Sequence, residues 1–103
     1  MLQVNLVVGR PASGKTTFVK KYAKETDYII DDIMNCNDIE YYISRSLNMG
    51  KQVLWLVYAN YPYDIPQFNF MVEKCVENYP IDLKVMHIDN EHNGIIYYEE
   101  HKN

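Results

Sequence analysis

Residues 9–16 read Gly-Arg-Pro-Ala-Ser-Gly-Lys-Thr. In the spacing G-x-x-x-x-G-K-[ST], a glycine at either end lets the chain wrap closely enough around a phosphate for backbone N–H groups to point inward. Gly9 and Gly14 supply those ends, and Arg10, Pro11, Ala12 and Ser13 make the curve between them. Lys15 is then expected to put a point charge between the outer phosphates, and the Thr16 hydroxyl to be one ligand of a phosphate-bound Mg²⁺. Thr17 backs them up near the inner phosphate.

Asp31 and Asp32 are the second group with chemical capacity. They end a short apolar run, residues 27–31, which reads as a second strand, and the carboxyl edge of such strands is where ligands of a doubly wound sheet gather. Two adjacent carboxylates repel without a cation. One is therefore expected to hold Mg²⁺ through water and the other to take a proton from an attacking hydroxyl, the division of labour being open. The alternative is a turn cap that touches no ligand. Asn60 closes the third strand, where it could hydrogen-bond a water or a γ-phosphate as a polar sensor, or serve only as a turn residue.

A phosphate loop works only with a strand before it and a helix after it. Leu2 to Val8 is an apolar run of strand character, and after Gly14 the residues Phe18, Val19, Tyr22 and Ala23 recur at helical spacing, with Lys20, Lys21 and Lys24 on the other face. The helix N-terminus adds roughly half a positive charge to that of Lys15.

The remaining elements follow the same alternation. Asn37-Asp38-Ile39-Glu40 reads as a capping box, and Ile39, Tyr42, Ile43, Ser46 and Leu47 give a second helix one inward face before Gly50 closes it. Residues 52–59 are almost continuously apolar, as in a strand covered on both faces. Asp64 and Pro66 open a third helix with Phe68, Met71, Val72, Cys75 and Val76 inward, ended by Pro80. Residues 82–88 make a fourth strand. The linker 89–94 is too short for a crossover helix, so Ile95 to Tyr98 is expected to return antiparallel through the Asn93-Gly94 turn. The expected fold is α/β, a three-layer α/β/α sandwich on a mostly parallel five-stranded sheet with an antiparallel last strand.

The 103 residues fit one domain, with 48% hydrophobic and 23% charged residues. No apolar run approaches the ~20 residues of a membrane span and no signal-peptide layout opens the chain, so a cytoplasmic protein without membrane attachment is expected. Cys36 and Cys75 lack metal or redox-motif spacing and read as free thiols. A net charge of −4 gives no support to a nucleic-acid partner, and Lys20, Lys21 and Lys24 read as a solvated stripe. His87, His92 and His101 have no metal spacing. Tyr41-Tyr42, Tyr97-Tyr98 and the group Tyr58, Tyr61 and Tyr63 suit packing first, and interfaces or base stacking second.

Residues 9–16 resemble the Walker A loop of the P-loop nucleoside triphosphatases and kinases. Within that superfamily, residues 2–60 are similar to the small kinases related to polynucleotide kinase and the zeta-toxin group. The shared features are Pro11 in the loop, Asp31-Asp32 after the second strand, and Gly50-Lys51 before the third. The resemblance implies a P-loop fold that binds ATP or GTP with Mg²⁺ and cleaves or transfers the γ-phosphate, with Lys15 and Thr16 on phosphate and metal and one of the aspartates as base.

Two departures from those kinases stand out. Ile33, Met34 and Asn35 follow the acidic pair where an acceptor-holding arginine is usual, and the short segment 89–94 leaves no room for an arginine-bearing lid. The chain has only two arginines, Arg10 and Arg45. An arginine on the transferred phosphoryl group is worth about 10³–10⁵ in rate, so the isolated chain is expected to be slow unless that charge is supplied. The sources are Arg10 in its own loop, Arg45 of a neighbouring subunit in a homo-oligomer, or a partner. Alternatively Arg45 pairs with a surface carboxylate, Glu40 or Glu77.

A second resemblance is to viral DNA-packaging motor ATPases, with residues 29–33 as the Walker B strand, Arg45 as a finger and Asn60 as sensor. A third reading is a nucleotide-binding switch or interaction module without turnover.

Overall fold

The computed structural model describes residues 1–10, 14–59, 65–89 and 94–102. The element order is β1 (Leu2–Val8), α1 (Lys15–Tyr22), β2 (Tyr28–Ile33), α2 (Asn37–Asn48), β3 (Val53–Tyr58), α3 (Ile65–Asn78), β4 (Ile81–Asp89) and β5 (Gly94–Lys102). β1 to β4 form a parallel sheet in which β1 lies between β3 and β4, and β2 is the outer neighbour of β3. β5 pairs with β4 in the opposite sense, with Asp82 against Lys102 and Asp89 against Gly94.

Alternation along β1 divides the core. Leu2, Val4, Leu6 and Val8 face the side covered by α2 and α3, where they meet Ile39, Ile43, Phe68, Met71, Val72 and Cys75. Val7 faces the other side, with Trp55, Val57, Met86 and Ile88, against Val19 and Phe18 of α1. Among the described residues the first cluster holds eighteen buried residues and the second six, so α1 has the smaller share of the described apolar burial. An element with the smaller share can adjust to a ligand at lower cost.

α1 covers only the upper part of its face. Farther down, β1 and β4 present Gln3, Asn5, Asp82 and Lys84, which with Glu100 line an open cavity of about 180 Å³. Polar residues at every second position are what a sheet face left to water requires.

Two boundaries differ from the sequence expectation. β2 runs on to Ile33, and the acidic pair lies inside it, at a break in register with β3 between Ile30 and Ile33. The capping box is not formed: α2 starts directly after Cys36, which already has helical φ and ψ and whose own side chain makes no cap. Instead the Asn35 side-chain oxygen accepts the Asn37 N–H at 3.0 Å, the donor that the Glu40 carboxylate of a capping box would have taken. The expected start of α3 at Asp64 and the turn at 90–93 lie outside the described residues.

Candidate phosphate-binding site

The sheet order reverses at β1: the chain leaves it towards β2 on one side, and later crosses from β3 to β4 on the other. A crevice opens at the carboxyl edge of the strands at such a point. Val8 ends β1 there, and Gly9 and Arg10 lead into the loop, which re-enters the described structure at Gly14. Gly14 has φ +90°, a left-handed conformation that turns the chain straight into α1 and that a side chain at this position would oppose.

Lys15, the first residue of α1, is only 8% exposed. Its Nζ donates to the Gly9 carbonyl at 3.0 Å and to the Arg10 carbonyl at 2.9 Å, so the ammonium is held at the backbone that leaves β1. Burial pushes its pKa below the ordinary lysine value, and the charges of Asp31 and Asp32 partly offset that. An ammonium held by two neutral carbonyls gains from any anion that enters.

Thr16 faces β2. Its hydroxyl lies 3.4 Å from Asp31 Oδ2 and 3.5 Å from Oδ1, longer than the ~2.5–3.0 Å of a tight hydroxyl hydrogen bond. Two hard oxygen donors therefore stand side by side without being committed to each other, a pairing that suits Mg²⁺. Among the described residues no three His, Cys, Asp or Glu side chains cluster as a metal site, so a cation here would draw its other ligands from phosphate and water.

Asp32 sits in the left-handed region, φ +58°, and is the only described non-glycine residue there. Its N–H is taken by Asp31 Oδ1 at 2.9 Å, which fixes the bulge and holds the two carboxylates in different surroundings. Both carboxylates are exposed, and Asp31 is the one within reach of the Thr16 hydroxyl. The end of β3 is tied to the same bulge, since Ala59 N–H donates to the Ile33 carbonyl at 2.7 Å.

The structure thus brings Gly9, Arg10, Gly14, Lys15, Thr16, Asp31 and Asp32 to one edge of the sheet, with Thr17 following in α1. Pro11, Ala12, Ser13 and Asn60 lie outside the described residues.

Arg45 is not brought to this edge. It lies in the last turn of α2, which runs back from the carboxyl end of β2 to feed β3, and its charge is favoured by the Tyr41 hydroxyl at 3.2 Å and by Tyr28 at the amino end of β2. The alternative pairing of Arg45 with Glu40 does not form either: Glu40 meets Lys74 at 3.4 Å and the Tyr79 hydroxyl at 3.1 Å.

Two features were not legible in the sequence. Asp27 Oδ2 accepts both the Lys24 N–H and the Trp55 indole N–H, each at 2.9 Å, and so ties the segment after α1 to the central sheet. His87 pairs in register with Val8 and stands half-buried one strand from the loop. Of the tyrosines, Tyr58 is packed: it is buried and stacks on Phe68 with centroids 5.7 Å apart. Tyr61 and Tyr63 lie outside the described residues.

No protein-family model matches the chain, and no curated protein or solved structure matches it.

Proposed function

We propose that the chain is a minimal P-loop nucleotide-binding domain, a three-layer fold closed by an antiparallel edge strand, that binds ATP or GTP with Mg²⁺ and cleaves or transfers the γ-phosphate. The observation that carries the reading is the joint position of Lys15 and Thr16 at the start of α1, with Asp31 across from Thr16. Lys15 would exchange its two carbonyl partners for phosphate oxygens, and the dipole of α1 would add to its charge. Thr16 and Asp31 would hold Mg²⁺, Thr16 directly and Asp31 directly or through water; the ion, when bound, neutralises charge on the phosphates.

Asp32, which makes no contact with Thr16, is then the carboxylate left to take a proton from an attacking hydroxyl or to orient a water. Arg10 is the one arginine in the loop itself. We assign the kinase-like reaction first and keep the motor-type ATPase second, because Arg45 stands exposed on an outer flank where a second subunit could use it. The two free thiols suit a reducing compartment, and we assign the chain to the cytoplasm. No described helix is long and apolar enough to cross a membrane.

The test is turnover of ATP and GTP by Asp31→Asn and Asp32→Asn. Both variants are expected to bind nucleotide and to lose about 10²-fold or more in turnover, the range of a removed acid–base group. Full activity in both would remove the acidic pair from the site.

A further inference from the structure

The positive charges of the chain are spread unevenly along the strand direction. Lys20 and Lys21 stand in the last turn of α1 with Lys24 just beyond, Arg45 in the last turn of α2, and Lys51 ahead of β3, so all five lie away from the carboxyl edge of the sheet. Lys74 is held by Glu40 at 3.4 Å, Lys84 by Glu100 at 3.8 Å on the lower part of the sheet face, and Lys102 pairs in register with Asp82 near the start of β4. Segments 11–13, 60–64 and 90–93 contain no lysine or arginine. Of the ten lysines and arginines, that leaves Arg10 and Lys15 at the carboxyl edge, and both belong to the phosphate loop.

The rim of the same edge, on the side of α2 and α3, is acidic and partly apolar. Asp31, Asp32 and Asp38, the last in the first turn of α2, are exposed, and among the described residues none of the three forms an ion pair with a lysine or arginine. The Asp38 N–H donates to the Asn35 carbonyl at 3.0 Å, which sets the first turn of α2 directly against the end of β2. Residues 65–72, the first two turns of α3, carry no charge. Met34 is 61% exposed and Phe70 69%.

Once a triphosphate occupies Arg10 and Lys15, no positive charge of the chain remains at this edge for a second anion. A phosphorylated acceptor would meet Asp32, Asp38 and the γ-phosphate as like charges, whereas a cationic acceptor would meet them as counter-charges. We propose that the acceptor is a small hydroxyl compound with a protonated amine and no phosphate or carboxylate, an amino alcohol or amino sugar, whose amine faces Asp38 while its hydroxyl faces Asp32. The proposal rests on the nucleotide reading of the site. In the transfer, the acceptor oxygen bonds to the γ-phosphorus as the bond from that phosphorus to the β,γ-bridging oxygen breaks. The nucleoside diphosphate leaves with the electron pair, and Asp32 takes the hydroxyl proton.

The test uses the whole chain with Mg²⁺ and ATP or GTP, and follows diphosphate release together with the phosphate ester formed, by phosphorus NMR. Glucosamine, mannosamine and serinol are each compared with their N-acetylated and their phosphorylated forms, beside an oligonucleotide with a free 5′-hydroxyl. At least one free amine is expected to be phosphorylated. Acetylation, which removes the charge and keeps the hydroxyls, should lower its kcat/KM by about tenfold or more through KM, and the phosphorylated forms and the oligonucleotide should give no product. Asp38→Asn should raise KM for the amine by about tenfold at unchanged kcat, and Asp38→Glu should recover most of it.

Transfer to a phosphorylated form or to the oligonucleotide as fast as to the free amine overturns the proposal. So does diphosphate release that no free amine increases, or a KM indifferent to both acetylation and Asp38→Asn. In all three cases the wild type still binds nucleotide, and the phosphate site stands. A wild-type chain that binds neither ATP nor GTP in an equilibrium titration without acceptor removes the nucleotide reading, and the proposal with it.

Discussion

The Lys15 ammonium donates to the Gly9 carbonyl at 3.0 Å and to the Arg10 carbonyl at 2.9 Å, so its charge rests against the backbone that leaves β1. Burial lowers the Lys15 pKa, and the neighbouring aspartates only partly restore it. An entering phosphate would raise it again. Below the lowered pKa, Lys15 is charged with or without ligand and affinity should not change with pH. As pH rises through the lowered pKa, the free protein loses the proton that the complex retains, so affinity should fall, by up to about tenfold per pH unit for one coupled proton. Titration calorimetry in buffers of different ionisation enthalpy should show proton uptake on binding in that alkaline window only; no uptake there would mean that Lys15 is not the group coupled to binding.

The left-handed backbone at Asp32 makes a second, independent prediction. Aspartate and asparagine tolerate this region far better than β-branched residues do. Asp32→Asn should leave urea-unfolding stability nearly unchanged, whereas Asp32→Val should cost about 1–2 kcal/mol. Equal stability of the two variants would mean that the bulge relaxes freely and does not hold the carboxylates apart.

Asp27 is expected to act on the position of α1. Its carboxylate accepts from Trp55 and from Lys24, and α1 has the smaller share of the described apolar burial to hold it otherwise. Asp27→Ala should cost about 1–3 kcal/mol by leaving the half-buried indole N–H unpaired, and should shift the emission of Trp55, the only tryptophan in the chain. Asp27→Asn, which keeps an acceptor, should recover most of both. An unchanged emission spectrum in Asp27→Ala would show that the tether does not form in solution.

The alternation of strands and helices was legible because each strand is a compact apolar run and each helix has an apolar stripe, and the start of α1 was legible at Gly14. What sequence could not give is local backbone geometry and meetings between distant residues. The bulge at Asp32 depends on how β2 meets β3, and the bond from Trp55 to Asp27 joins residues 28 positions apart. The capping box at Asn37 had the right letters, but Asn35 took the N–H of Asn37 first. Arg45 could be counted as one of two arginines, yet only the path of α2 back towards the amino edge separates it from the loop of its own chain.

The most direct measurement is an equilibrium titration of the chain with ATP and with GTP, in the presence and absence of Mg²⁺, beside Lys15→Ala. The account predicts saturable binding of at least one nucleotide, tightened by Mg²⁺ and abolished in Lys15→Ala. Binding that is absent in the wild type, or that Lys15→Ala leaves intact, would contradict a phosphate site at the start of α1.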